Sequence, residues 1–221
     1  MLVKINSAAP SGIDAIPIDV EVDYRLGPVG EIIVGLPDQA IKESRERIKS
    51  AIINSGLQNP LYFFTINLAP ADVQKKGPSF DLPIALGILA SCGLLNQEKL
   101  SQSIIVGELS LDGSIKPVEG ILPIAELAKK LNKKRIIVPE KNAREASLIK
   151  NLEIIPLKTL DETFIYFQDK KDIAPYNPEE DFSSYFFQDE HDIDLNEIKG
   201  QLQAKRALEI AASGGHNILF I

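Results

Sequence analysis

Lys75-Lys76-Gly77-Pro78-Ser79-Phe80-Asp81-Leu82 opens an apolar run that ends at Gly93, and Gly107-Glu108-Leu109-Ser110-Leu111-Asp112-Gly113-Ser114-Ile115-Lys116-Pro117-Val118 follows shortly after it. The first segment reads as a loop that delivers the chain into a buried helix over residues 83–92. Pro83 belongs in a first helical turn, where its missing N–H is not needed. Ser79 or Asp81 is placed to cap the exposed N–H groups of that helix. The second segment holds Asp112-Gly113, a strong hairpin signal, between residues 103–108 and 114–117.

Working outward, Ile16, Ile18, Val20, Val22 and Tyr24 alternate with Asp19, Glu21 and Asp23. That period belongs to a strand with one wet face, paired with residues 2–8 or, across the turn at residues 26–30, with residues 32–34. Asp38 can cap a helix through Ala40, Ile41, Ser44, Ile48, Ala51 and Ile52, ended by Asn54-Ser55-Gly56. Residues 61–68 form a β-branched and aromatic strand. Types then alternate: helix over 121–131, strand over 135–138, helix over 143–149, strand over 153–156, helix over 160–167. Hairpins first and strand-helix alternation later predict an α+β or mixed α/β domain over residues 1–170, with helices packed on a twisted sheet.

The 221 residues are 44% hydrophobic, enough for one substantial core. No stretch approaches the ~18 apolar residues of a membrane span, and residues 1–6 lack the build of a signal peptide, so a cytoplasmic setting without membrane partners is expected. The single cysteine, Cys92, permits no intramolecular disulfide and reads as a small buried residue. Net charge is -7, yet residues 1–171 carry 21 Asp or Glu and 21 Lys or Arg side chains while residues 172–197 carry nine Asp or Glu and no Lys or Arg. Residues 171–194 therefore read as an acidic linker. Its aromatics Tyr176, Phe182, Tyr185, Phe186 and Phe187 are unusual for a free tether and suggest docking on a neighbouring domain.

The two opening segments together resemble the proteolytic domain of Lon-type ATP-dependent proteases, which shares its layout with a widespread ribosomal-protein-like superfamily. The resemblance implies that the serine of Gly77-Pro78-Ser79 stands at the nucleophile position. It also aligns Pro117-Val118-Glu119-Gly120-Ile121-Leu122 with a stretch whose last residue is the lysine general base. Leu122 replaces that lysine. A serine hydroxyl needs a base within hydrogen-bond reach, and the cations near in sequence are Lys75, Lys76, Lys116, Lys129 and Lys130. His191 and His216 lie outside the domain. The small residues that follow the family's serine are here Phe80 and Asp81. No catalytic residue and no metal site is expected; casein cleavage abolished by Ser79→Ala would reverse that reading.

Near the end of the chain, Leu195-Asn196-Glu197-Ile198-Lys199-Gly200-Gln201 resembles the segment that contacts adenine at the entry to an AAA+ ATPase module. A helix over 204–212 and a buried parallel strand over 218–221 are expected to follow. The phosphate-binding loop is the next part of such a module, and the chain's last residue precedes it. Residues 195–221 are thus the beginning of an AAA+ domain. The whole chain, including Val34-Gly35-Leu36-Pro37-Asp38 and Asn67-Leu68-Ala69-Pro70-Ala71-Asp72, resembles the magnesium-chelatase-like ATPases of the YifB/ComM type. This resemblance implies a hexameric ATP-driven motor that migrates branched DNA in natural transformation, with ATP and Mg2+ in the full-length protein. Ile198, Gly200 and Gln201 are implied on the adenine side, and no cofactor is expected in this stretch alone.

Lys42, Arg45 and Lys49 form one polar stripe on the helix that starts after Asp38, and Lys133, Lys134 and Arg135 form a second basic cluster. Either can meet DNA phosphates; either also reads as a solvated face, as do Lys199, Lys205 and Arg206. Three functions stay open: a non-catalytic accessory domain of a DNA motor that engages branched or single-stranded DNA and assembles with itself, a Ser79-dependent peptidase with an unrecognised base, and an oligomerisation or partner-binding module.

Overall fold

The computed structural model describes residues 2–178 and 195–220, in two compact units divided after Glu179. In the first unit a four-stranded sheet has the order β1 (Val3–Ser11), β2 (Asp14–Arg25), β4 (Phe63–Ala69), β3 (Gly30–Val34). β2 is antiparallel to both neighbours, with Val20 opposite Ile5 on one side and Leu68 on the other. These alternate positions point into one core, as the period-2 pattern requires. Of the two partners expected for β2, only the one at residues 2–8 is found. β3 instead lies parallel to β4, with Ile32 opposite Thr65. The reason is α1 (Gln39–Asn54), which returns the chain over the sheet; a helical crossover makes parallel neighbours.

α2 (Asp81–Ser91) is apolar all round and every one of its residues is buried against the sheet. At Gly87 an added Cβ would stand 2.6 Å from Val22 Cγ2, so glycine is what lets helix and strand approach this closely. A second sheet is wholly parallel, in the order β5 (Ser103–Ile105), β8 (Arg135–Pro139), β9 (Glu153–Leu157). α4 (Ile121–Lys130) and α5 (Ala143–Ala146) pack on a second core over it. α3 (Gln97–Ser101) precedes β5, and α6 (Leu160–Phe167) closes the domain. The Ser7 hydroxyl donates to the Ile105 carbonyl at 2.8 Å, joining the edge of β1 to the second sheet.

Three expectations change. The hairpin over Asp112-Gly113 exists, but it joins only β6 (Glu108–Leu109) and β7 (Ile115–Lys116), because residues 103–105 leave it for the parallel sheet. The helix expected over 143–149 is a single α-helical turn, and backbone bonds from Leu148 to Glu145 and Ile149 to Ala146 tighten the chain beyond it. The domain also runs past residue 170. Ile173 packs against the main core, while Tyr176 donates its N–H to the Ile154 carbonyl at 2.7 Å and packs on the second. The first residues of the acidic segment therefore pack on the domain; Phe182, Tyr185, Phe186 and Phe187, on which the docking expectation also rested, fall in residues 179–194, outside the described residues.

The second unit holds α7 (Leu202–Gly214), ended by Gly215. The strand expected over 218–221 is absent among the described residues: Ile218, Leu219 and Phe220 carry no assigned strand and are exposed. A parallel strand requires neighbours to satisfy its backbone. No helix among the described residues is long and apolar enough to cross a membrane.

Candidate functional site

The Gly77-Pro78-Ser79 segment is fastened at both ends, to Asp38 and to Gly107. Gly77, at φ +79, a left-handed conformation natural to glycine, donates its N–H to Asp38 Oδ2 at 2.9 Å. The other oxygen of that carboxylate caps α1 by accepting from the Ile41 N–H at 2.9 Å. The Ser79 carbonyl accepts from the Gly107 N–H at 3.0 Å, and the Gly107 carbonyl accepts from the Leu82 N–H at 3.0 Å. A single 3-10 turn, Pro78–Phe80, then leads into α2, and no side chain caps either helical start. The capping role expected of Ser79 or Asp81 is not taken up.

Asp81 has a different task. It is 1% exposed and receives both arms of Arg47, Nε to Oδ2 at 3.0 Å and Nη2 to Oδ1 at 3.2 Å. Oδ2 also accepts from the Leu109 N–H at 3.3 Å. One carboxylate thus joins α1, α2 and β6. Burial pushes its pKa up to about 6, against the pull of the Arg47 hydrogen bond and charge. Phe80 beside it is a core residue. The two side chains that depart from the protease pattern are therefore packing and bridging groups, which leaves Ser79 half-buried between them and the loop.

None of the nearby cations activates Ser79 by a hydrogen bond among the described residues. The Lys75 side chain is completely buried and its ammonium donates to the Pro70 carbonyl. Burial holds its pKa below the usual lysine value, opposed by Asp72. Leu122 lies at the second position of α4, where its N–H meets Glu145 Oε1 at 3.3 Å. Its side chain carries nothing that accepts a proton. Among the described residues no cluster of three His, Cys, Asp or Glu side chains is placed to hold a metal.

The adenine-side residues lie in the second unit. Ile198 is exposed, Gly200 and Gln201 have positive φ, and α7 begins directly after them. The 221 residues contain no G-x-x-x-x-G-K-[ST].

The two basic groups fare differently. Lys42, Arg45 and Lys49 are exposed on α1, with Arg45 Nε donating to the Lys42 carbonyl at 3.1 Å. Arg45 and Lys49 border a cavity of about 400 Å³ between α1 and the β3–β4 edge. Lys133, Lys134 and Arg135 each have a partner within the fold, and of the three only Arg135 is buried. Arg135 is 7% exposed and pairs with Glu153 at 3.2 Å, Lys134 faces the same carboxylate at 3.8 Å, and Lys133 donates to the Ser101 carbonyl. Arg135 has no open face for a phosphate. The partners that decide this, Glu153 and Ser101, were invisible to a reading of the local charge run, as was the cavity beside Arg45.

Comparison with known proteins adds three findings. Residues 20–142 match the family described as subunit ChlI of Mg-chelatase, and residues 194–221 match magnesium chelatase, subunit ChlI. Competence protein ComM of Haemophilus influenzae is 40% identical over 222 residues, covering 100% of this chain and 43% of the relative; the uncharacterized protein YifB of Escherichia coli is 40% identical over 217 residues, covering 98% and 42%. Lon protease 2 of Bacillus subtilis is 31% identical over 124 residues, 55% of this chain and 22% of that protein, in keeping with a Lon-like domain. The chain spans less than half the length of ComM or YifB.

Proposed function

Because this chain belongs to the ChlI family of Mg-chelatase subunits, as a ComM/YifB-like member, we propose that it is the non-catalytic N-terminal part of an AAA+ ATPase that acts on DNA. In this reading the complete protein is a hexamer that uses ATP and Mg2+ to drive branch migration during uptake and recombination of DNA, and the Lon-like domain supports assembly or DNA engagement. The observation that carries the reading is the join of two features in one chain. A Lon-like domain whose Ser79 has no lysine at position 122 is followed by a segment of ChlI type. A serine nucleophile and its base act as a unit, so losing one member removes the reason to expect peptide hydrolysis. The competence role in the name of the Haemophilus relative supplies the link to DNA.

The test is ATP hydrolysis by the full-length gene product, with and without a four-way DNA junction, beside the same protein lacking residues 1–178. Stimulation by the junction that weakens on deletion is the expected result. Stimulation that survives deletion would reduce the domain to a scaffold, and no stimulation would overturn the DNA-motor reading.

A further inference from the structure

The cavity beside α1 brings charged and aromatic side chains together. Its floor is core: Ile48, Ile52 and Phe64 are buried. Glu31 from β3 and Arg45, Glu46 and Lys49 from α1 line it, with Tyr62, whose ring also packs on Tyr24 at 4.6 Å, and Phe63 at the start of β4 as its aromatic side. Gly30 pairs with Phe63 across β3 and β4, and a Cβ there would meet the ring at 3.4 Å, an ordinary contact distance. Phe63 already carries one cation, with the Arg25 guanidinium 4.6 Å from its ring centre. Glu31 lies within the electrostatic reach of Arg45 and Lys49, yet closes no ion pair with either. Two carboxylates, Glu31 and Glu46, and two cations thus line one cavity without an ion pair between them among the described residues.

A volume of about 400 Å³ falls in the range of small-ligand sites. A carboxylate acceptor beside aromatic side chains suits a heterocycle with an amino edge, and two neighbouring cations suit a phosphate. We infer that the cavity between α1 and the β3–β4 edge is a nucleotide-unit site that receives one unpaired base of a DNA strand, with Glu31 accepting from the base's amino group, Tyr62 and Phe63 against its face, and Arg45 and Lys49 on its phosphate. This rests on the DNA reading above and gives it a location.

The experiment is fluorescence anisotropy of the 221-residue chain with labelled oligo-dC, oligo-dT and a duplex of equal length, at several salt concentrations. Oligo-dC is expected to bind about fivefold more tightly than oligo-dT, because cytosine N4 donates to a carboxylate and thymine has no such amino group. Arg45→Ala with Lys49→Ala should weaken binding about tenfold and lower the salt slope by about 1.4, two released counterions on a single strand. Glu31→Gln should erase the dC preference. The control is Lys129→Ala with Lys130→Ala, an exposed pair on α4. Arg45 and Lys49 are exposed, so their loss leaves the fold intact, which an unchanged Tm checks. Absence of strand binding, a loss no greater than in the control, or a dC preference that survives Glu31→Gln would each overturn the site. Free dCMP binding as tightly as the strand would overturn the strand assignment in favour of a free nucleotide. Junction-stimulated ATP hydrolysis in the full-length protein reads the motor independently, so the site can fail while the motor stands.

Discussion

At Asp81 burial and charge pairing oppose each other, and burial prevails: the pKa rises to about 6 although Arg47 grips both oxygens. A carboxyl whose folded pKa exceeds its unfolded value of about 3.9 is bound to its proton more tightly in the native state. Its stabilising contribution is full below about pH 4 and is lost as pH rises through about 6. The loss amounts to about 3 kcal/mol at 1.36 kcal/mol per unit. Asp112 and Asp169 tilt the other way, since hydrogen bonds from Ser114 and from Asn96 and Lys99 hold their pKa values down. The measurement is therefore the difference in urea stability between the natural protein and Asp81→Asn at pH 4, 5, 6 and 7. That difference should change by about 3 kcal/mol across the series, and a flat difference would reject the raised pKa. Phe80-Asp81 announced in the sequence that the peptidase pattern was broken. It did not announce the replacement, because Arg47 lies 34 positions away and local spacing says nothing of it.

Among the elements, α1 was the most legible: its cap, its buried stripe and its end all follow from residues 38–56. What spacing could not give is that Asp38 has a second partner in Gly77, 39 positions on. Asp38→Ala should cost about 2 kcal/mol, about 1 for the cap and about 1 for the hydrogen bond to the loop. Asp38→Asn should cost about half as much, since one amide oxygen can cap but the amide nitrogen cannot accept from Gly77. Thermal unfolding of the two variants separates these contributions. That residues 32–34 stood as one of two alternative partners for β2 has a related reason. Adjacency in sequence favoured β2, whereas the geometry of a helical crossover placed β3 beside β4. The hairpin at Asp112-Gly113 was readable from its turn, but its length was set by β8, a strand 30 residues away in the chain that claimed residues 103–105.

For the whole molecule, the fold class was legible because local types alternate in an order that few architectures accept. The domain's end was not, because a drop in basic residues after 171 looks like a linker even where the chain is still packing. Ile173 and Tyr176 lie on two different cores. A chain ending at 170 should be less stable than one ending at 178 by about 2–3 kcal/mol, the worth of two partly buried apolar side chains. That corresponds to a fall in Tm of roughly 4–10 °C, readable by calorimetry. Equal melting of the two would return the boundary to 170. The second basic cluster shows the same limit at this scale, since Arg135 reads as surface charge in the sequence and is an internal tie to β9 in the fold.

Lys75 has one more consequence. Its amine is completely enclosed, whereas Lys42, Lys129 and Lys141 stand in solvent. An acylating reagent reaches those three in every molecule, but it reaches Lys75 only in the fraction that has opened at that moment. The chain carries its own clock of native-state opening, and mass spectrometry of a single tryptic peptide can read it.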